Sequence, residues 1–375
     1  MVNSEVIAKS VGSSRRPWST PPSASEPLVS VMLFCRNAAK TLRRSIDSLT
    51  NQTYRNFEYV VQDAASTDQT LEILKEFEGR LDIRLVSEPD NGPADGFFRA
   101  LRRCKGDIIA TCLADEELLP DALERAVRIF GERPYIGAIT GDAYITDGAG
   151  QIQSVYKSST FSFAKYLSAE YCPYWSSSFF CASALRTVGL LESRWSPDSL
   201  EFEIWCRLAE DYEIVYVPEV FSKYGIHEGQ LSNQGRRALV ELNSRLQIIR
   251  EHVFRPGGLL GDNESWRDRC ILLQQINLLQ HLLAYNSPEA VQLQNQIKQS
   301  GLLEEFLHAR KGIPINGLDG QPAYAALARS ALGSAGFAYS LLLFYRRVVP
   351  RSIRARISAT QKEQLKRFLG LPRVI

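Results

Sequence analysis

The sequence lacks several patterns that would assign a chain to a class at once. Its seven cysteines form no Cys-x-x-Cys pair and mostly lie within apolar runs, which predicts reduced, packed thiols in a cytoplasmic protein. The formal net charge of +2 is too close to balance to indicate a nucleic-acid partner. Residues 1–27 are rich in serine and proline and lack the apolar core of a signal peptide, so they predict a disordered leader.

Long apolar runs are also missing. The least polar stretch, residues 324–344, is only moderately hydrophobic and includes Arg329, so no transmembrane span is expected. The chain has 375 residues, of which 45% are hydrophobic and 23% are charged. This composition is typical of a globular, soluble protein with a sizeable core, and the length is sufficient for two domains.

Strand and helix signals alternate from residue 28 onward. Short apolar runs with β-branched members predict strands at 28–35, 57–61, 83–87, 108–112 and 136–144. Apolar residues at helical spacing predict helices at 38–52, from Ser66, at 92–104 and at 120–130. A turn signal at 147–150 then predicts antiparallel elements. Together these signals indicate an α/β fold with a mixed, mainly parallel sheet flanked by helices.

Two of these strands end in carboxylates, Asp63 after the second and Asp115 after the fourth. An open α/β sheet binds its ligands at the carboxyl ends of its strands. Mg²⁺-type ions prefer oxygen ligands and leave part of their coordination shell to substrate phosphates. The two acidic strand ends therefore predict an enzyme that holds a nucleotide-activated group through a divalent metal.

Other nucleotide-binding classes with a doubly wound core would show different loops. A dehydrogenase would carry a Gly-x-Gly-x-x-Gly turn after the first strand, and a nucleotidyltransferase a glycine-rich loop with a catalytic Arg or Lys. Residues 34–38 read Phe-Cys-Arg-Asn-Ala and supply neither pattern.

Between residue 28 and about residue 232, five blocks resemble, in order and spacing, those of family 2 glycosyltransferases with the GT-A fold. The first block, 29–37, stands at the place of the family's first strand and its Tyr-Asn pair, and the second, 63–68, is similar to Asp-Asp-Gly-Ser-Thr-Asp. The third block is 87–92 with Asp95. The fourth, 113–121, is similar to the DxD segment and the helix after it, and the fifth is 201–208 with 224–227. The resemblance implies transfer of a sugar, of the hexosyltransferase type, from a nucleotide-diphosphate sugar to a hydroxyl acceptor with inversion. It also implies a place in polysaccharide, glycolipid or cell-surface glycan synthesis.

The resemblance further implies a set of site residues. Glu201 would be the general base, since an ionised carboxylate takes a proton from an acceptor hydroxyl within hydrogen-bond reach. Asp63 would accept a hydrogen bond from the donor's base, and Asp115 would bind Mg²⁺ or Mn²⁺. The implied donor-binding residues are Phe34, Arg36, Asp63, Asp90, Asp95, Ala114 and Asp115; the metal ligands are Asp115, Glu116 and His227; and the acceptor side has Asp142 and Trp175.

Four positions depart from the family pattern: Ala64, Phe98, Leu113 and Gly225. Leu113 replaces the first Asp of DxD, and a leucine side chain cannot bind a metal. Asp115 and Glu116 must then supply the protein's share of the ligands, with diphosphate oxygens and water completing the shell. Metal dependence and full turnover stay open, so the alternative is a catalytically weakened sugar-nucleotide-binding protein with the same fold.

Each residue taken alone also has a structural interpretation. Ser66 and Gln69 form a Ser-x-x-Gln capping box, which predicts a helix start at Ser66. Residues 115–117 are typical of a solvated acidic loop before a helix, and Trp175 of a buried aromatic cluster. The order of the five blocks is what favours the functional interpretation.

The chain changes character after residue 232. The predicted organisation is a leader at 1–27, a GT-A domain at 28–232, a helical region at 233–345 and a basic tail at 346–375. The tail has nine basic residues against Glu363 alone and follows the apolar run 341–345. Residues 341–375 therefore predict a peripheral contact with an anionic membrane, at its cytoplasmic face, with a solvated basic tail as the alternative.

Overall fold

The computed structural model describes residues 26–133, 135–169, 171–189, 199–226, 235–257, 260–261, 263–284 and 287–302. Two compact units contain these residues. The first has those between 26 and 163 and between 172 and 226, and the second has those between 164 and 171 and from 235 onward. His227, the basic tail and the predicted membrane contact at 341–375 lie outside the described residues.

Strands and helices alternate along the first unit. Its strands are β1 (Val29–Cys35), β2 (Phe57–Asp63), β3 (Ile83–Ser87), β4 (Ile108–Thr111), β5 (Glu116–Leu118), β6 (Ile136–Thr146), β7 (Ile152–Tyr156), β8 (Ser178–Cys181) and β9 (Glu213–Gly225). The helices up to residue 211 are α1 (Leu42–Thr50), α2 (Thr70–Glu76), α3 (Pro93–Arg103), α4 (Ala122–Glu132), α5 (Phe163–Leu167), α6 (Ala182–Thr187) and α7 (Leu200–Asp211), and a 3-10 turn covers Trp175–Ser177.

The strands form one sheet in the order β3-β2-β1-β4-β8-β6-β9-β5, with β7 paired to β6. Strands β1 to β4 pair in parallel, whereas β8 is antiparallel to both β4 and β6, and β5 is antiparallel to β9. The predicted mixed α/β sheet is confirmed. From β1 the chain continues to β2 on one side, and from β4 it continues to strands on the other side of the sheet. The crevice between the carboxyl ends of β1 and β4 is thus the place where such a sheet binds ligands.

The parallel strands form the centre of the core. β1 is a continuous apolar run in which Val29, Val31, Met32 and Leu33 are fully buried, as expected of a strand covered on both faces. Helix α1 buries Leu42, Ile46 and Leu49, one face at the helical period. All seven cysteines fall within the described residues and each is a free thiol.

Two predicted helix starts are wrong, because side-chain hydrogen bonds hold the residues before these helices in loops. Helix α1 begins at Leu42 and not at residue 38, since the N–H groups of Ala38 and Ala39 donate to the side chains of Thr70 and Asp68, at and before the start of α2. Helix α2 begins at Thr70 and not at Ser66. The Ser66 hydroxyl donates to Asp63, while the Asp68 carboxylate accepts the Thr70 N–H at 3.0 Å. Ser and Asp bond to the backbone in loops as readily as at helix caps.

A third helix start is also wrong, and a strand explains it. Helix α4 begins at Ala122, two residues after Pro120, because the preceding residues still pair with another strand. The Leu119 N–H donates to the Phe221 carbonyl at 2.8 Å, continuing the β5–β9 ladder. The three-residue strand β5 was not predicted, since its sequence Glu-Glu-Leu carries no strand pattern.

From residue 235 onward, the described residues of the second unit are mainly helical, as predicted. It contains α8 (Gly235–Ile248) followed by a π-helical turn (Ile249–Val253), α9 (Glu264–Ala284) and α10 (Glu289–Ser300). The segment before the 3-10 turn also belongs to it. The buried Gln274 amide on α9 donates to the carbonyls of Tyr166 and Leu167, at 3.4 and 3.0 Å. None of the described helices is both long and apolar enough to cross a membrane.

A buried carboxylate ties the amino ends of the central strands together. Glu58, fully buried on β2, accepts hydrogen bonds from the Ser30 hydroxyl on β1 at 2.5 Å and from the Lys105 N–H at 2.7 Å. Arg84 on β3 forms an ion pair with its other oxygen at 2.8 Å. Three strands and the start of β4 are therefore joined at the edge opposite the crevice.

We predict that Glu58→Ala lowers the free energy of unfolding by about 3 kcal/mol, because it leaves the buried donors without their acceptor and Arg84 without its partner. Urea unfolding followed by tryptophan fluorescence measures the loss. The matched control is Glu76→Ala, which removes the exposed ion pair with Arg43 (2.7 Å) and should cost less than about 1 kcal/mol. Equal losses for the two variants would contradict the interpretation.

Candidate functional site

Three loops meet at the carboxyl edge of the parallel strands, after β1, β2 and β4. The register of β1 and β2 pairs Cys35 with Asp63, and the Ala64 N–H donates to the Cys35 carbonyl at 2.9 Å. Arg36 and Ala64 are the first residues after two neighbouring strands, and they therefore lie side by side. The first two sequence blocks are adjacent because neighbouring parallel strands end at the same edge.

The loops after β1 and β2 are joined by side-chain hydrogen bonds. Asn37 has a left-handed backbone (φ 52°), a conformation that Asn tolerates better than most residues. Its N–H donates to the Ser66 hydroxyl, and its side-chain oxygen accepts the Thr67 N–H, both at 2.8 Å. Asp68 accepts the Ala39 N–H at 3.1 Å. These bonds preorganise the two loops, and the neighbouring Arg36 side chain is exposed.

Asp63, the predicted contact of the donor's base, is fully buried at the end of β2. Its carboxylate accepts the Ser66 N–H at 2.9 Å, the Ser66 hydroxyl, and the Ser87 hydroxyl at 2.6 Å. Protein donors therefore hold this carboxylate and join the ends of β2 and β3. Sequence reasoning did not single out Ser87 for this role, although it stands in the third block.

Carboxylates gather around Cys35 on this side of the crevice. Burial raises the pKa of the Cys35 thiol, and the charges of Asp63, Asp68 and Asp90 raise it further, which shows that these side chains lie near it. Asp90 accepts the Gly92 N–H at 2.9 Å. A side chain at Gly96 would lie 3.0 Å from Asp90 Oδ2 and 3.2 Å from Phe34 Cβ, so glycine permits this close approach.

Asp95 is part of a local ion pair. Its carboxylate accepts the Asn91 N–H at 3.0 Å and lies 3.0 Å from Arg99, one helical turn later. Hydrogen bonds from Arg99 and then Asn91 hold the pKa of the Asp95 carboxyl below its usual value. The residue therefore stabilises the start of α3, on the same side of the crevice as Asp90.

The loop after β4 leads directly into β5. The Glu116 carboxylate is buried, with 3% of the residue exposed, and its Oε2 accepts the Leu113 N–H at 2.8 Å. The Asp115 carbonyl accepts the Gly225 N–H at 2.8 Å, and a side chain at Gly225 would approach that carbonyl to 3.2 Å. Glycine thus lets β9 close onto the DxD-like segment, with Asp115 itself partly exposed.

Three carboxylates gather here. Burial raises the pKa of Glu116 to about 8, and the charges of Asp115 and Glu201 contribute to that rise. Glu201 is in the first turn of α7 and is partly exposed, whereas its neighbours Phe202 and Trp205 are buried. The charge of Glu201 thus acts on Glu116, although the two residues are far apart in the sequence.

The fit of a divalent cation rests on this acidic cluster. Carboxylate oxygens are the ligands that Mg²⁺ and Mn²⁺ prefer, and like-charge repulsion within the cluster favours a cation. The bond from Leu113 occupies one Glu116 oxygen, which leaves Asp115 as the better placed ligand. Within the described residues, no three His, Cys, Asp or Glu side chains form a metal-binding group. The third predicted ligand, His227, lies outside those residues.

The two residues predicted for the acceptor side make internal contacts. Asp142 is 5% exposed and accepts the Ser158 N–H and the Tyr216 hydroxyl, both at 2.9 Å. Trp175 is 9% exposed and packs against Phe97 and Phe180, with ring centroids 6.1 and 5.1 Å away. The aromatic cluster, which was the alternative interpretation of Trp175, is thus present around it.

Comparison with known proteins agrees with this arrangement. The protein family described as Glycosyl transferase family 2 matches residues 30–188, which include β1 to β8 and the DxD-like segment. Among solved structures, the fold is similar to that of S. aureus TarS 1-349 in complex with UDP-GlcNAc. The TM-score is 0.55 at 16% identity, and the match covers 92% of each chain. Residues 30–188 therefore resemble family 2 glycosyltransferases, and the fold is GT-A.

Curated relatives include two polysaccharide synthases. Chondroitin synthase from Escherichia coli is 25% identical over 234 residues, which are 62% of this chain and 33% of that protein. Poly-beta-1,6-N-acetyl-D-glucosamine synthase from Staphylococcus epidermidis is 26% identical over 210 residues, which are 51% of this chain and 48% of that protein. The match thus spans less than half the length of either relative.

We predict opposite outcomes for two substitutions of Glu116. Glu116→Ala leaves the Leu113 N–H without its acceptor and should lower the free energy of unfolding by about 1–3 kcal/mol. Glu116→Gln keeps an acceptor oxygen and, since Glu116 with a pKa of about 8 is mostly protonated at pH 7, replaces one neutral group with another, so its stability should equal or exceed that of the wild type. Urea unfolding of both variants at pH 7 measures this, and equal losses would argue against the hydrogen bond to Leu113.

Proposed function

We propose that this domain, which resembles family 2 glycosyltransferases, transfers a sugar from a nucleotide-diphosphate sugar to a hydroxyl acceptor with inversion at the anomeric carbon. The observation that carries the proposal is the cluster of Asp115, Glu116 and Glu201 beside the crevice. A partly exposed carboxylate that could take a proton stands there next to carboxylates suited to a diphosphate-bound cation.

The donor would lie across the carboxyl ends of β2, β1 and β4. The preorganised loops after β1 and β2 would take the nucleoside, with Phe34, Arg36 and Asp90 toward it and Asp63 holding the loops in place. Because protein donors already engage the Asp63 carboxylate, a contact with the base is expected from its neighbours as much as from Asp63 itself. The diphosphate would then point toward Ala114 and Asp115.

Glu201 would act as the general base. Its carboxylate takes the proton of the acceptor hydroxyl while that oxygen forms a bond to the anomeric carbon, and the bond from this carbon to the diphosphate breaks on the opposite face. The nucleoside diphosphate leaves with the bonding electrons. One displacement of this kind inverts the configuration.

Asp115 would be the main protein ligand of a divalent cation, with Glu116 behind it. When bound, such a cation neutralises charge on the departing diphosphate. Leu113 removes one carboxylate from this side, so diphosphate oxygens would supply more of the coordination shell.

The likeness to two polysaccharide synthases supports polysaccharide or cell-surface glycan synthesis as the setting. The alternative function is binding of a sugar nucleotide without turnover, which Ala64 and Leu113 favour. Nucleotide binding does not separate these two functions, whereas turnover does.

Glu201→Gln should lower acceptor-dependent release of the nucleoside diphosphate by about 100-fold or more, because removal of a general base typically costs that much. Affinity for UDP, measured by calorimetry, should stay within about twofold of the wild type, since the change lies on the acceptor side. Release is measured with a panel of UDP-, GDP- and dTDP-sugars and oligosaccharide acceptors.

The matched control is Glu203→Gln, the same change on the same helix at a residue that pairs with Arg207 at 2.7 Å. It should keep most of the activity. Wild-type protein that binds a nucleotide but releases none with any donor and acceptor would favour the binding protein over the enzyme.

Asp115→Asn should weaken the Mn²⁺-dependent part of UDP binding by about tenfold, because a carboxylate is a far better ligand for a hard cation than an amide. Calorimetry with UDP, with and without Mn²⁺, measures that part. Glu117→Gln is the control, since Glu117 is only two residues away, in β5, but pairs with Lys223 at 3.1 Å. Binding of UDP that does not respond to Mn²⁺ in the wild type would overturn the assignment of the metal.

A further inference from the structure

Three tyrosines lie together on one face of the sheet, near β7 and β9. Paired residues of neighbouring strands project to the same face. Tyr224 pairs with Glu116 across β9 and β5, and Tyr156 pairs with Ala143, which in turn pairs with Ser222. Tyr174, just before the 3-10 turn, packs between the other two tyrosines, with ring centroids 4.5 Å from Tyr156 and 5.7 Å from Tyr224. We call these three residues the tyrosine platform.

The platform adjoins the acidic cluster. Tyr174 packs against Tyr224, which pairs with Glu116 in the β5–β9 ladder, so its ring lies near the DxD-like segment. Burial raises the pKa of the Tyr174 hydroxyl above its usual value. The hydroxyl therefore stays protonated and can donate a hydrogen bond. All three tyrosines are partly exposed, unlike the buried Trp175 next to them in the sequence.

Hydrogen bonds from buried serine hydroxyls hold the residues of the tyrosine platform in place. The Ser178 hydroxyl donates to the Tyr174 carbonyl at 2.7 Å, and the Ser177 hydroxyl donates to the Asp142 carbonyl at the same distance. The Ser177 and Ser222 hydroxyls lie 2.6 Å apart, so the 3-10 turn is bonded to both β6 and β9. The Tyr156 hydroxyl donates to the Cys172 carbonyl at 2.7 Å. The rings are thus held in place before any ligand arrives.

We propose that the tyrosine platform binds a pyranose ring of a saccharide acceptor next to Glu201. This inference rests on the proposed function and specifies the acceptor class. The C–H faces of a pyranose pack well on aromatic rings, and a phenol hydroxyl can bond to the sugar's hydroxyl groups. Rigid aromatic groups also bind with little loss of conformational entropy. Tyr174, and not Trp175, is then the aromatic residue that faces the acceptor.

The test measures the binding of chitotetraose and of a chondroitin tetrasaccharide by saturation-transfer NMR, in the presence of UDP. Tyr174→Ala should weaken saccharide binding by about tenfold, as truncation of a central aromatic contact does, and Tyr156→Ala should weaken it by a smaller factor. Tyr174→Phe keeps the ring and loses the hydroxyl, so its loss should lie between the wild type and Tyr174→Ala. The affinity for UDP should not change in any of these variants.

The matched control is Tyr135→Ala, at a tyrosine that is 42% exposed and outside the platform. It should bind saccharide like the wild type. The inference is overturned if the wild type binds neither saccharide, or if Tyr174→Ala and Tyr156→Ala bind as tightly as the wild type. If those two variants keep both saccharide binding and acceptor-dependent turnover, the proposed function stands and only the platform fails. If the wild type does not bind any nucleotide, the proposed function itself fails.

Discussion

The pairing of the three-residue strand β5 with the end of β9 is the contact on which the rest of the candidate site depends. It bonds the Asp115 carbonyl to the Gly225 N–H and turns the Glu116 side chain into the interior. It also sets Tyr224 directly opposite Glu116. Without this short ladder, the DxD-like segment would be a loop with no fixed relation to the second half of the sheet. Gly225 allows the contact, because a side chain at that position would press against the Asp115 carbonyl.

The two sides of the crevice are organised by different forces. On the side of β1 and β2, neutral and charged hydrogen bonds hold two loops in a single arrangement, and the buried Asp63 carboxylate is the centre of that network. On the side of β5, burial raises the pKa of Glu116, and the nearby charges of Asp115 and Glu201 add to that rise. The hydrogen bonds on the side of β1 and β2 hold its loops in place without a ligand. The acidic cluster on the side of β5 gains stability from a proton or a cation. This property suits a site that binds and releases a charged diphosphate.

The departures from the family pattern acquire a physical meaning in this setting. Leu113 contributes its backbone N–H to Glu116, so this position supports the acidic cluster although its side chain cannot bind a metal. Ala64 is nearly buried beside the Cys35 carbonyl, where its N–H continues the parallel register by one residue. Both positions keep a role in the scaffold while supplying no carboxylate.

The sequence alone determined the alternation of strands and helices and the mixed sheet, and it indicated the resemblance to a family, because apolar periodicity and the order of five motif blocks are local properties of the chain. It also indicated the acidic residues at the strand ends. Tertiary structure decided the helix starts and β5, since Ser66 and Asp68 accept hydrogen bonds from the loop after β1, and β5 forms only by pairing with β9. Only the fold brings the charge of Glu201 to bear on Glu116 and separates Tyr174, partly exposed beside the carboxylates, from Trp175, buried among phenylalanines. Neighbours in sequence have different surroundings when a 3-10 turn directs their side chains to different places, and no local pattern records that direction.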